Sequence, residues 1–364
     1  MRTTHLREAP SYDLADHPLP TGREESYRFT PLARIPVLLD QDALWLDAAL
    51  AVTAGDGVAV SDTDWAHDGP APVDRPSAIG WLRGSKTTRL TLSGDIAGPV
   101  EVQVTGTGGA QIGQLMIDAT PGSRAVVVLQ HTGDGDYIGN VAVNVGEQAN
   151  LTLVSLQEWA PGANHAGWHQ ALVGRDAHYR HVAVTLGGAV VRLQVGVSYA
   201  APGGTAELFG LHMTDGGQHH EHRLFVDQNQ KNTTSRVDYR GALQGGARSA
   251  WVGDVLIRAH GIDSYEQNRN LLLTPGCVAD SVPNLEIETG DIVGAGHSSA
   301  TGHFDDEQLF YLRSRGIPEE VARRLVVQGF FDEIIKRVGV PVIQQRLRAV
   351  VDEELDRAEQ ENHG

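Results

Sequence analysis

The stretch GAGHSSATGHFDDEQ, residues 294–308, concentrates the residue types that do chemistry: His297 and His303, three hydroxyl side chains, and the acids Asp305, Asp306 and Glu307. Two imidazoles beside carboxylates are a donor set for a divalent transition metal. Gly296-His297-Ser298-Ser299-Ala300 also resembles the G-x-S-x-G turn that raises a nucleophilic serine in hydrolases, with alanine in place of the last glycine. That turn needs a helix directly after its serine, and here the first helical pattern starts about seven residues later. Only His303 and His363 remain downstream to complete a triad. The simpler reading is a solvated loop leading into a helix, Asp305 and Gln308 having capping-box spacing.

Three further groups carry donors. His219, His220 and His222 lie in GGQHHEHR; on a strand the last two share a face about 7 Å apart. Metal binding is one reading, and an exposed polar strand after the turn Asp215-Gly216-Gly217 is the simpler one. Cys277, in LLLTPGCVAD, falls in a turn after an apolar run, where a lone cysteine ordinarily packs as a small hydrophobe. As the single cysteine it excludes an intrachain disulfide and any zinc or iron–sulfur site built from several thiolates of this chain, so a cluster would need a partner's ligands. GTGGAQIG (106–113) is followed by another strand-like run, which makes it a turn and not a dinucleotide loop, and GSKTT (84–88) lacks the spacing of a phosphate loop. ATP hydrolysis is not expected of this chain.

The elements that must position these residues are strands. From about residue 86 to 304 the sequence runs in short alternations of β-branched and polar residues bounded by glycine or polar turns, as in TTRLTLSG, VEVQVTG, ANLTLVSLQ and VVRLQVGVSY. No helix pattern interrupts them, which argues against βαβ units and for an all-β body. Glycine, 42 of 364 residues, is spread without a Gly-X-Y period and implies frequent turns. Two architectures fit, a pair of sandwiches or one parallel β-helix, and the unbroken length favours the solenoid. After Asp305 the pattern turns helical. EQLFYLRSRG closes at Gly316, PEEVARRLVVQGFFDEIIKRVG places Val321, Leu325, Phe331, Ile335 and Val338 near one face, and a last helix carries Leu347, Val350, Val351 and Leu355.

The expected fold is thus mainly β: an N-terminal mixed or helical region (1–80), a parallel β-helix core (81–304) and a C-terminal helical domain (305–364) that caps the solenoid's open end. Within the first region LLDQDALWLDAALAV (38–52) reads as a helix and the Pro-rich DGPAPVDRPS (68–77) as a linker. Lys+Arg 29 against Asp+Glu 46 gives a net charge of −17, which argues against a nucleic-acid partner. No stretch reaches the ~18 apolar residues of a membrane span, and the N-terminal residues lack the apolar core of a secretory signal, so a cytoplasmic location without membrane attachment is expected.

Residues 239–339 refine this reading. YRGALQGGARSAWVGDVLIRAHGIDSYEQNRNLLLTPG, followed by the glycine- and histidine-bearing loop and DDEQLFYLRSRGI, resembles the SufB/SufD family of iron–sulfur cluster assembly scaffolds, and SufD more closely than SufB. SufB chains carry Glu directly after the loop histidine, where Ser298 stands here. The resemblance implies a right-handed parallel β-helix with flanking helical regions. It implies a non-catalytic scaffold that builds and transfers a transient iron–sulfur cluster shared with a SufB-like sister subunit, and a SufC-like ABC ATPase docked on the C-terminal helices. His297 matches the SufD histidine that faces the sister's cysteine. Cys277, six residues before Pro283, resembles the place of SufB's essential cysteine, which leaves a SufB-like or homodimeric scaffold as a second reading. A β-helix enzyme acting on acidic carbohydrate is the different-class alternative, and Asp227, Lys231, Arg236, Asp238 and Arg240 are its candidate groove residues.

Overall fold

A computed structural model describes residues 9–64, 69–303 and 306–362. Its elements, in chain order, are β1 (Leu46–Asp47), β2 (Leu50–Thr53), β3 (Val58–Asp64), α1 (Arg75–Arg83), β4 (Lys86–Leu92), β5 (Asp95–Ala119), β6 (Arg124–Val145), β7 (Asn150–Gln157), β8 (Asn164–Val173) and β9 (His178–Thr185). They continue as β10 (Val190–Tyr199), β11 (Thr205–Thr214), β12 (His219–Gln228), β13 (Thr234–Leu243), β14 (Arg248–Ile257), β15 (Ile262–Leu272), β16 (Val278–Ile287), β17 (Ile292–His303), α2 (Asp306–Ser314), α3 (Glu319–Arg337) and α4 (Pro341–Asn362).

From β7 onward each strand pairs in parallel with the strand two places along, so odd strands stack in one sheet and even strands in a second. β5 and β6 contribute their first halves to the odd sheet and their second halves to the even one, and β4 pairs with the second half of β5. The result is a parallel β-solenoid of about 8 turns. Val190 stands beside His219 and His219 beside Arg248, a step of 29 residues per coil. The glycine-rich 106–113 is the corner inside β5, marked by a register shift between Thr107 and Ala110.

Between the sheets lies an apolar core in which Val102, Leu115, Ile117, Leu153, Leu193 and Leu224 are buried. Helices α3 and α4 lie along the outer face of the odd sheet, where Phe331, Ile335, Val338, Leu347 and Val351 close over Val154, Val182, Phe209 and Leu211. Arg180 Nη1 donates to the Val338 carbonyl at 2.8 Å and Arg240 Nη1 to that of Phe330 at 2.8 Å. The expected end cap is therefore corrected to a side-on cover. The reason is that the outward positions of β7, β9 and β11 also carry large apolar side chains, among them Leu156, Val184 and Met213, and these must be buried too. The helical stripe is also rotated from the expected one: Val321 and Leu325 are exposed, while Ala322, Val327 and Ile334 are buried.

The N-terminal residues cover the outer face of the even sheet, Tyr27, Ile35, Leu38, Leu39 and Ile79 packing on Ile112, Ile138, Ala166 and Val190. The helix expected over 38–52 is absent. Val37–Leu39 forms a short 3₁₀ turn, Leu46 and Asp47 pair with Gln111 and Ile112, and β2 runs antiparallel to Glu101–Val104. Pairing with the first coil's free edge overrides a weak helical periodicity. Of the expected linker, residues 69–74 form no helix or strand, its last three residues open α1, and Asp68 lies outside the described residues. Asp74 caps α1 with a full capping box, Pro76 sits in the first turn, and both are buried.

The two ends of the solenoid differ. β2 and β3 add antiparallel strands over its first coil. At the far end β17 pairs with β15, and no further strand is laid against it among the described residues. None of the described helices is long and apolar enough to cross a membrane.

Candidate functional site

The alternation of burial in β15 points Ser264, Glu266, Asn268 and Asn270 into the solenoid and Tyr265, Gln267 and Arg269 away from it. Register places Ala295, His297, Ser299 and Thr301 of β17 beside those four inward residues. His297 thus stands at the rim of the last coil, its side chain 44% exposed, with Nδ1 3.9 Å from Glu266 Oε1. Glu266 is only 3% exposed, and neither of its oxygens has a hydrogen-bond partner. Burial, helped by the nearby Asp254 carboxylate, pushes its titration up to about 8. A Cβ on Gly253 of the facing sheet would overlap this carboxyl, so the glycine makes the room it occupies. Next to it Asn270 Nδ2 donates to Asn268 Oδ1 at 2.7 Å and lies 3.3 Å from Thr301 Oγ1.

Cys277 sits in the corner between β15 and β16, partly buried, with Sγ 3.5 Å from Thr274 Oγ1. His303 lies beside Leu272 at that same corner, and His297 is six residues upstream along β17, about 20 Å of strand. The last coil therefore carries both sequence-derived residues, His297 and Cys277, without bringing them together. His303 is the imidazole on Cys277's side.

The serine of the elbow pattern, Ser298, is mid-strand and exposed in β17, so no strand-to-helix turn raises it. Asp305 lies outside the described residues, as does the capping box built on it. Among the described residues no three His, Cys, Asp or Glu side chains converge as a metal site. Of the candidate carbohydrate-groove residues, Lys231 is exposed and the others are engaged within the chain. Asp238 and Arg240 are buried beneath α3, with Arg240 paired to Glu333, and Arg236 and Asp227 are paired to Asp263 and Arg258.

The largest correction concerns His219, His220 and His222, which are buried and not on an exposed strand. His219 and its neighbour Glu221 face the N-terminal cover, where Thr30 Oγ1 donates to Glu221 Oε2 at 2.7 Å and Arg223 Nε to Oε1 at 2.6 Å. His220 and His222 face inward and join His131, His165, His169, His181 and His212 inside the solenoid. His222 Nε2 lies 3.0 Å from Thr185 Oγ1, and His169 Nδ1 3.0 Å from His181 Nε2. Burial holds all seven rings below the ordinary histidine range, to about 4 for His131 and His212 and about 3 for His181. They are neutral at pH 7. The sequence offered no sign of this cluster beyond single histidines at inward strand positions, because the packing that gathers them is non-local.

Comparison with known proteins places this geometry. Residues 102–330 match the family model described as SUF system FeS cluster assembly, SufBD core domain. The chain is 47% identical over 367 residues to an iron-sulfur cluster assembly SufBD family protein of Mycobacterium tuberculosis, covering 96% of this chain and 92% of that one. A SufBD family protein of Mycobacterium leprae is also 47% identical, over 95% of this chain and 93% of its own length. The iron-sulfur cluster assembly protein SufD of Escherichia coli is 26% identical over 66% of this chain and 58% of its own.

Proposed function

The chain belongs to the SufBD family of iron–sulfur cluster assembly proteins, and from that premise we propose that it is the SufD-like scaffold subunit of a cytoplasmic assembly complex. Its sister is a SufB-like homologue, and the cluster is transient cargo held between the two. The observation that carries this reading is the open last coil. One end of the solenoid is closed by the chain's own β2 and β3, and the other ends in an edge that no further strand covers among the described residues, with His297 at its rim and Cys277 at its corner. An imidazole and a thiolate on an edge that another strand can extend suit iron and sulfide ligated jointly by two chains. Phe310 and Tyr311 of α2, with Val321 and Leu325 of α3, are exposed on the helical side and supply the apolar face for a SufC-like ABC ATPase, whose nucleotide cycle this chain lacks the motifs to perform. Scaffolding, not catalysis, is the role this leaves.

The test begins with anaerobic affinity purification of the tagged chain from its own host. Recovery of an ABC-type ATPase and a longer, cysteine-bearing homologue is expected, and a monomer that copurifies with neither overturns the reading. His297→Ala is expected to leave that complex intact and its melting midpoint unchanged, because the side chain is exposed, while cluster formation falls about tenfold or more. Normal cluster delivery by the variant removes His297 from the site. Cys277→Ser is expected to lower maturation of client proteins if the thiolate is a ligand. Maturation within experimental error of the unmodified chain assigns Cys277 to packing and leaves the cluster's thiolates to the sister.

A further inference from the structure

We propose that Glu266 is a second donor from this chain, beside His297, in a site for a divalent transition metal ion at the open end of the solenoid. This deepens the reading of His297 given above and rests on it. The first support is position. Glu266 and His297 are directly paired neighbours on adjacent parallel strands, and 3.9 Å separates Oε1 from Nδ1. Donors that share one ion at about 2.1 Å stand about 3 to 3.5 Å apart, so a displacement under about 1 Å brings the two onto a common ion.

The second support is that the fold has no use for an acid here. The same inward column is filled by Leu208 and Val237 in the two preceding coils, and either side chain satisfies the core. Glu266 instead presents two buried oxygens with no hydrogen-bond partner, an arrangement that costs several kcal/mol unless something else compensates. Rules of packing are broken in this way where function requires it. The third support is the makeup of the donor set. A carboxylate oxygen and an imidazole nitrogen suit Fe²⁺, Co²⁺ or Mn²⁺. With no third His, Cys, Asp or Glu converging from the described residues, the remaining positions stay open for water, sulfide or a partner's ligand, as a site that receives and releases its ion requires.

The experiment titrates the full metal-free chain with Co²⁺ under anaerobic conditions, read by visible absorption, and with Mn²⁺, read by electron paramagnetic resonance. One equivalent is expected to bind. Glu266→Gln, which keeps the side chain's shape, is expected to weaken binding at least about tenfold, Glu266→Asp to retain part of it, and His297→Ala to weaken it comparably, with melting midpoints showing that each variant is folded. If His297→Ala abolishes binding and Glu266→Gln binds as the unmodified chain does, the proposal falls and the role of His297 stands. If binding is absent, or indifferent to both substitutions, the proposal also falls, and His297 is then judged by the cluster-delivery assay alone.

Discussion

Between pH 6.5 and 5 the protein is expected to lose most of its stability, as a steep fall in the unfolding midpoint followed by circular dichroism in buffers of matched ionic strength. The seven inward histidines cause it. In the unfolded chain each titrates near 6.5; in the folded chain burial holds His131 and His212 to about 4 and His181 to about 3. Between those values the unfolded state binds protons that the folded state refuses, so the stability present above pH 6.5 drains away as the pH drops and levels off only below the folded-state values. At pH 5 each of these three rings costs about 2 kcal/mol, and together they reach the lower end of the 5–15 kcal/mol stability of a typical domain. Glu266, whose folded-state value is raised to about 8, runs the other way: acidification relieves its penalty and offsets about one histidine. A midpoint flat from pH 7.5 to 5 would mean that the rings are hydrated or paired within the solenoid.

Arg192→Leu is expected to cost about 3 to 5 kcal/mol and to loosen the N-terminal cover. Arg192 is almost wholly buried between two acids, donating to Asp74 through Nη1 and lying 3.6 Å from Glu221 through Nε, while Nη2 donates to the Ser26 carbonyl at 3.0 Å. Burial opposes the Glu221 charge, yet His219, Arg192 and Arg223 together outweigh it, and the carboxyl titrates well below the usual range. Removing the guanidinium strands two carboxylates in the interface between α1 and the even sheet. Limited proteolysis of the variant should cut before residue 85 at least about tenfold faster than in the unmodified chain, while the solenoid survives. Equal cleavage rates and an unchanged midpoint would show that Arg223 and Gln194 suffice to hold the pair.

What was legible in the sequence was local. Alternation in ANLTLVSLQ or VVRLQVGVSY marks strands, and the glycine at 316 ends a helix where its positive φ is needed. The coil itself was hidden because its length drifts: Arg124 pairs with Asn150, 26 residues on, and Asp263 with Gly294, 31 residues on. The hydrogen-bond ladder fixes the strands while turns absorb the difference, so no strict repeat appears. His219 to His222 misled for a different reason. A strand polar on both faces suggests solvent, but here one face meets the N-terminal cover and the other the interior. Glu266 was invisible for the same cause, since IDSYEQNRN alternates polar with polar. His297 and Cys277 stood out in the sequence by residue type alone, and only the family resemblance suggested a role for them.

The unequal ends have a consequence for how order is distributed along the molecule. In a stack where each coil touches only its neighbours, an inner coil is held from two sides and the last from one. Local opening is therefore cheapest at β16 and β17, and backbone amides there should exchange with solvent soonest. A strand from another chain laid on β17 would turn the last coil into an inner one. Docking and the annealing of this rim would then be a single thermodynamic event, and the donors proposed there would become rigid as the second chain that shares their cargo arrives.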